Sequence, residues 1–292
     1  MTQKNRTFSA SKIIACAMFT LLLIQAPAFA TNMIQPYKLV SAPTAEILPR
    51  SYLDVEINFY ASRGVYGTGL IAGVHVGLTD RLMFGLAYGG EGLIGTSDNV
   101  YWYPPRNLGG MVKYRLFEEG AVPPAITIGF DNQGYGGPAS TGEYGYDGYI
   151  FKAPGFFLAA SKSYMMMNAV QVGFHGVLNY SIEGVDDTGW WPNLTAGMDI
   201  VINEELSIIA EYDMALNDIS GSEKNSKRIA NPLNGYFNIG LRWAFTENFH
   251  LQFDIRDIFE NKTRLAPIPA DLENRSPIGW SREMKVIYIT KF

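Results

Sequence analysis

Apolar and polar side chains alternate along most of this sequence after its first thirty residues, and that period of two restricts the fold more than any other feature. In residues 51–60 one face reads Leu53, Val55, Ile57, Phe59 and the other Asp54, Glu56, Asn58. In 170–180, Val170, Val172, Phe174, Leu178 and Tyr180 oppose Gln171, His175 and Asn179. Further on, Phe237, Ile239, Leu241, Trp243 and Phe245 alternate with Asn238, Gly240, Arg242 and Ala244. Successive side chains of a strand point to opposite faces, so each segment reads as a strand with one apolar and one polar side. Apolar runs of roughly 18 residues, the mark of a helical span, do not occur in this region. Dispersed apolar residues with 17 Tyr, 17 Phe and 30 Gly fit a transmembrane β-barrel better than a helical membrane protein.

A recurring hairpin supports this. Leu78-Thr79-Asp80-Arg81-Leu82, Ile202-Asn203-Glu204-Glu205-Leu206 and Phe245-Thr246-Glu247-Asn248-Phe249 each set three polar residues between apolar ones, with alternation on both sides. Extending the pattern predicts an all-β, antiparallel up-and-down barrel of about twelve strands. The strands fall near 51–61, 67–78, 82–92, 107–117, 124–133, 149–162, 169–181, 191–202, 206–217, 235–245, 249–259 and 280–292. Poor alternation over 149–168 leaves ten or fourteen strands open. Connections then alternate between short turns and longer loops rich in Gly, Asn, Pro and Trp, with 62–66 the one short exception on the loop side, the sorting of a bacterial outer-membrane barrel. An even strand count that starts on the short-turn side puts both termini in the periplasm.

The ends carry addresses. Lys4, Arg6 and Lys12, an apolar stretch from Ile13 to Ile24, and Ala28-Phe29-Ala30 predict a signal peptide over 1–30 cleaved near Ala30. Cys16 sits before most of that apolar stretch, so it belongs to the signal rather than to a lipoprotein cleavage box. No cysteine remains for a disulfide, a thiolate metal site or a nucleophile. The rest holds 20 Lys+Arg against 28 Asp+Glu, a formal charge of −8, which argues against a nucleic-acid partner. Residues 31–50, with Pro36, Pro43 and Pro49, read as a periplasmic lead-in, and 51–292 as the barrel. At the other end Met284, Val286, Tyr288, Thr290 and Phe292 share one face. Val286, Tyr288 and the terminal Phe292 resemble the signal by which the outer-membrane barrel assembly machinery recognises its substrates. An open sheet edge is not tolerated in lipid, so this strand must close against 51–60.

Residues 109–163 resemble the YjbH-like outer-membrane proteins associated with exopolysaccharide production. The resembling stretches are Lys113-Tyr114-Arg115-Leu116-Phe117-Glu118-Glu119, Pro123 to Asp131 with Pro123-Pro124-Ala125 and Gly129-Phe130-Asp131, and Phe157-Leu158-Ala159-Ala160-Ser161-Lys162. Residues 43–90 fit more loosely, beginning at Pro43-Thr44-Ala45. The match covers about a third of the chain after the signal. Longer members carry much more chain, and the Gly-Thr-Gly expected after the Asp strand stands here as Gln133-Gly134-Tyr135-Gly136. The resemblance implies an outer-membrane location and a role in exopolysaccharide or cell-envelope biogenesis or export.

With the apolar face on lipid, the opposite face lines the lumen and includes Asp54, Glu56, Lys113, Arg115, Asp131, Glu211, Asp213, Arg242, Asp254, Arg256 and Lys285. These charges suit either a polar conduit or an interior plugged by pairs across strands. A general or substrate-selective porin is therefore the alternative to a YjbH-like role. An enzyme needs a nucleophile or activated water beside a base, and His75, His175 and His250 sit in no such motif, so a non-enzymatic barrel is expected. Tyr101, Trp102, Tyr103, Trp190 and Trp191 fall in the outer loops, where they serve a headgroup-level belt or stack on sugar rings. Expected partners are thus outer-membrane lipid, the assembly machinery and a polysaccharide. Neither a cofactor nor a metal is implied by any motif.

Overall fold

The structure is a computed structural model, and it describes residues 36–62, 68–91, 101–102, 108–138, 149–166, 170–183, 192–218, 235–261 and 280–292. The alternating segments form β1 (Tyr52–Ser62), β2 (Thr68–Thr79), β3 (Leu82–Glu91), β4 (Tyr101–Trp102), β5 (Gly109–Phe117), β6 (Ala125–Asp131), β7 (Tyr135–Pro138) and β8 (Tyr149–Phe151). They continue as β9 (Gly155–Met166), β10 (Val170–Tyr180), β11 (Asn193–Val201), β12 (Leu206–Asp213), β13 (Tyr236–Ala244), β14 (Phe249–Arg256) and β15 (Ser281–Lys291). Twelve of these strands pair antiparallel with their sequence neighbours around a closed barrel. Closure joins β1 to β15, from Tyr52 against Lys291 to Ser62 against Ser281. No edge is left in that ring, which is what a wall surrounded by lipid requires.

Placement of the connections follows the expected sorting. The described turns 80–81, 118–124, 202–205 and 245–248 lie at one end, and the long connection from β6 to β9, which carries β7 and β8, lies at the other. The strand expected over 149–162 divides instead. Tyr149–Phe151 pairs with Tyr135–Pro138 as a separate hairpin, and the barrel strand starts at Gly155. Pro154 has no N–H to donate, and Gly155 takes φ +69°, so the ladder breaks between the two.

One face of the wall is exposed and apolar, with Val74, Leu78, Phe84, Leu86, Phe174, Leu178, Leu241 and Phe253 all open. Trp243 packs on Phe245 at 3.8 Å between centroids near the turn end, and Phe237 stacks on Phe259 at 5.6 Å near the loop end. Met284, Tyr288 and Phe292 are exposed on the same side, and Val286 lies half-buried among them. The inner face carries the polar and charged side chains, with Met83, Met111, Phe157, Ile209, Ile287 and Ile289 buried among them.

Residues 36–50 overturn the lead-in reading. Leu39, Val40, Ala45 and Leu48 are all at most 1 % exposed, because the segment runs inside the barrel. It forms a hairpin: Lys38 bridges Pro43, Leu39 N–H donates to Ala42 at 2.9 Å, and Thr44 N–H donates to Tyr37 at 3.1 Å. Its base is anchored at the turn end, where Ser51 N–H donates to Gly77 at 2.9 Å and Phe292 N–H to Ser51 at 2.9 Å. Gly77 is needed there, since a Cβ would meet the carbonyls of Leu48 and Pro49. Twelve strands enclose more room than wall side chains fill, and an unpaired segment with apolar residues finds cover in it.

A candidate site: the luminal hairpin and its wall

A hairpin of two short arms leaves backbone groups unpaired, and burying each without a partner costs about 1–3 kcal/mol. The wall supplies those partners from the lumen residues of its strands. Lys113 on β5 donates to the carbonyls of Tyr37 at 2.8 Å and Glu46 at 2.5 Å. Lys285 on β15 donates to Val40 at 2.7 Å, and Arg256 on β14 reaches the same carbonyl at 3.3 Å. Arg242 and Gln252 reach Lys38 and Leu39 at 3.4 and 3.3 Å. Thr127 on β6 donates to Ala45 at 2.6 Å.

The acceptors face the hairpin's N–H groups. Glu211 on β12 takes Ser41 N–H at 2.9 Å, Ala42 N–H at 2.8 Å and the Ser41 hydroxyl at 2.5 Å, and Asn238 steadies it at 2.8 Å. Two ion pairs add to this, Lys38 with Asp131 at 3.2 Å and Arg115 with Glu46 at 2.8 Å. Behind these contacts the wall neutralises itself: Lys285 pairs with Asp254 at 2.9 Å, and Arg256 pairs with Glu283. Asp54 and Glu56 lie 3.2 and 3.5 Å from the Tyr37 hydroxyl. Ten of the eleven expected lumen charges therefore converge on the hairpin or on a residue that holds it. Asp213 stands apart, accepting from Asn193 at 2.6 Å and from Ala215 N–H at 2.8 Å near the loop end.

Three residues have the hydrogen-bond order of a hydrolytic triad. Ser161 Oγ lies 2.8 Å from His175 Nδ1, and His175 Nε2 lies 2.7 Å from Asp199. Yet Ser161 Oγ also accepts Ala45 N–H at 2.8 Å and lies 1 % exposed under the hairpin. The chain Asp199–His175–Ser161 is a strut that presents an oriented acceptor to the hairpin. Across the lumen the arrangement differs: Asp54 and the Tyr37 hydroxyl both meet His75 Nδ1, at 3.1 and 3.0 Å, and the hydroxyl also lies 3.2 Å from Asp54, so the three form a closed cluster.

The loop end is covered from outside. Tyr149 packs with Tyr60 and Ile71, Phe151 lies against them, and the Arg256 guanidinium stands 5.4 Å from the Phe151 ring. Glu183 ties this cap down by accepting Tyr149 N–H at 2.6 Å and Ala153 N–H at 2.5 Å. Burial, then the Glu183 carboxylate, push the Tyr149 phenol well above its ordinary value, so it stays protonated. Between cap and hairpin tip a chamber of about 50 Å³ remains, bordered by Ser41, Lys152, Asn193, Glu211 and Asn238. Gaps of about 20 Å³ flank the hairpin. Such spaces hold from one to a few waters.

Of the expected outer-loop aromatics, Tyr101 and Trp102 form β4 against Gly90 and Glu91, while Tyr103, Trp190 and Trp191 lie outside the described residues. Ser161, Thr127, Gln252, Glu283 and the hairpin itself were not anticipated as site residues. The available signal was Leu39-Val40 and Ile47-Leu48, apolar pairs without alternation that a solvated tail has no need of.

No protein-family model matches the sequence, and a search of curated proteins finds no match. Among solved structures it is similar to the KdgM porin, with 9 % identity, a TM-score of 0.46 and cover of 80 % of this chain and 98 % of that one. It is also similar to the NanC porin, with 8 % identity, a TM-score of 0.40 and cover of 82 % and 99 %. A third is an outer membrane channel from Pseudomonas putida F1, with 12 % identity, a TM-score of 0.41 and cover of 86 % and 100 %. These likenesses are of overall shape, and the barrel assignment stands on the strand pairing itself.

Proposed function

We propose that this chain is an outer-membrane channel-type barrel held closed by its own N-terminal hairpin. One observation carries the reading: residues 36–50 fill the lumen, held by hydrogen bonds between wall side chains and hairpin backbone, with their apolar side chains divided among three separate small clusters against the wall. Polar contacts exchange for water once the hairpin leaves, and the clusters are small, so release costs less than unpacking one continuous apolar core would. The exposed apolar wall with aromatics at both ends, and the loop sorting, support placement in the outer membrane. Liposome swelling tests this. Vesicles carrying the full chain should resist entry of small sugars, and vesicles carrying a chain without residues 31–47 should admit them. Free entry with the full chain would overturn the closed-barrel reading.

A second reading keeps the YjbH-like role in exopolysaccharide or envelope biogenesis. It is supported by where the resembling residues lie. Lys113 and Asp131 grip the hairpin, Ala45 of Pro43-Thr44-Ala45 sits on Thr127 and Ser161, and Glu119 pairs with Lys162 at 3.1 Å below them. The pattern then marks a plugged barrel of this kind. Deleting the gene and weighing secreted polysaccharide tests it, and unchanged yield counts against it.

A further inference from the structure

The lipid-facing wall is not uniform. Over β5, β6, β9 and β10 it sinks into an apolar groove of about 550 Å³ bordered by Ile128, Phe130, Phe156, Leu158, Leu178 and Tyr180. The inward-pointing Gly129 and Phe157 also border it, so the recess reaches the backbone of the wall. Strand register shows how it continues. Phe130, Phe156 and Tyr180 form a row near the loop end, and Ile128, Leu158, Leu178 and Leu194 form the next row inward. The row after that brings Ala160, Gly176 and Ala196 side by side, and a Cβ built on Gly176 meets no atom within 4 Å.

Two steps of two residues span about 13 Å along a strand, which is about 10 Å of depth at the usual barrel tilt of about 40°. One leaflet contributes roughly 15 Å of hydrocarbon. The track therefore starts at an aromatic row, where headgroups lie, and runs on to a row of small residues over about two-thirds of the depth of one leaflet. We propose that this groove binds one acyl chain of an outer-leaflet lipid, a proposal that rests on the membrane placement above. A second copy of the barrel fits worse, because two convex walls meet along a line and leave a recess of this depth unfilled.

The full chain is reconstituted in dioleoylphosphatidylcholine vesicles with phosphatidylcholine bearing a diazirine midway along one acyl chain, then irradiated, and adducts are mapped by peptide mass spectrometry. Adducts at Ile128, Leu158 and Leu178 should exceed those at Leu86 and Phe253, also exposed on the wall, by about threefold, equivalent to about 0.65 kcal/mol. Gly176→Leu, placed in open space, should bring that ratio to about one, and Ala196→Leu should lower it likewise. Even labelling around the wild-type barrel, or a ratio untouched by both substitutions, overturns the groove. Labelling nowhere overturns the membrane placement instead. Chains cross-linked to each other through these residues assign the face to a second copy and overturn the lipid proposal.

Discussion

Glu211 is where the hairpin tip is held most tightly, so Glu211→Ala should loosen it more than any other single wall substitution. The carboxylate accepts two backbone N–H groups at 2.8 and 2.9 Å and the Ser41 hydroxyl. A hydrogen bond to a charged group contributes about 1.5–3 kcal/mol net. Taking the low end for the two backbone bonds, since water enters the vacated site, the hairpin loses about 3 kcal/mol of hold. That is roughly a 150-fold rise in the released population. The assay uses Ala42→Cys, at a residue only 6 % exposed, in a sequence whose one cysteine, Cys16, is replaced by Ser. The rate of reaction with a water-soluble maleimide follows the released population while reclosure outpaces labelling. Glu211→Gln keeps one acceptor and should give a smaller rise. A rate unchanged within about twofold in a folded Glu211→Ala barrel would refute the reasoning, since the predicted effect is far larger.

Gly77→Ala should press on the Leu48 and Pro49 carbonyls, weaken the hairpin base by about 1–3 kcal/mol and raise labelling at the same cysteine. Ser161 should not react with a fluorophosphonate, because it is buried beneath Ala45; an adduct on Ser161 would turn the strut back into a nucleophile. Lys285→Met leaves Asp254 buried and unpaired and should lower stability to urea by about 3–5 kcal/mol. Lys285→Met with Asp254→Leu should recover most of that loss, and a double variant no better than the single would contradict the pairing.

The barrel was legible because its signal is local and repeated. Alternation, turn triplets such as Thr79-Asp80-Arg81 and the aromatic end at Phe292 each follow from the pleat and the lipid boundary. Facing is legible for the same reason, since alternation alone puts Lys113, Glu211, Arg242 and Lys285 on the lumen side. Their partners were not legible. Lys113 binds carbonyls of residues 37 and 46, and Lys285 binds one 245 positions away, and main-chain carbonyls leave no trace in side-chain patterning. Prolines at 36, 43 and 49 suggested a tail, whereas they shape a hairpin that cannot join the sheet. Tyr149–Phe151 was merged with β9 because Pro154 and Gly155, which break the ladder, span only two residues.

Single-channel recording addresses the hairpin most directly. In planar bilayers the full chain should show little conductance, and the chain without residues 31–47 should show steady open events. A synthetic peptide of residues 34–50, added on the side of the short turns, should silence those events, while a peptide with Ser41 and Ala42 both changed to Pro, which removes the N–H groups that Glu211 holds, should block far less. A folded deletion variant that stays silent, or one that conducts but ignores the peptide, would contradict a lumen built to be closed by that segment.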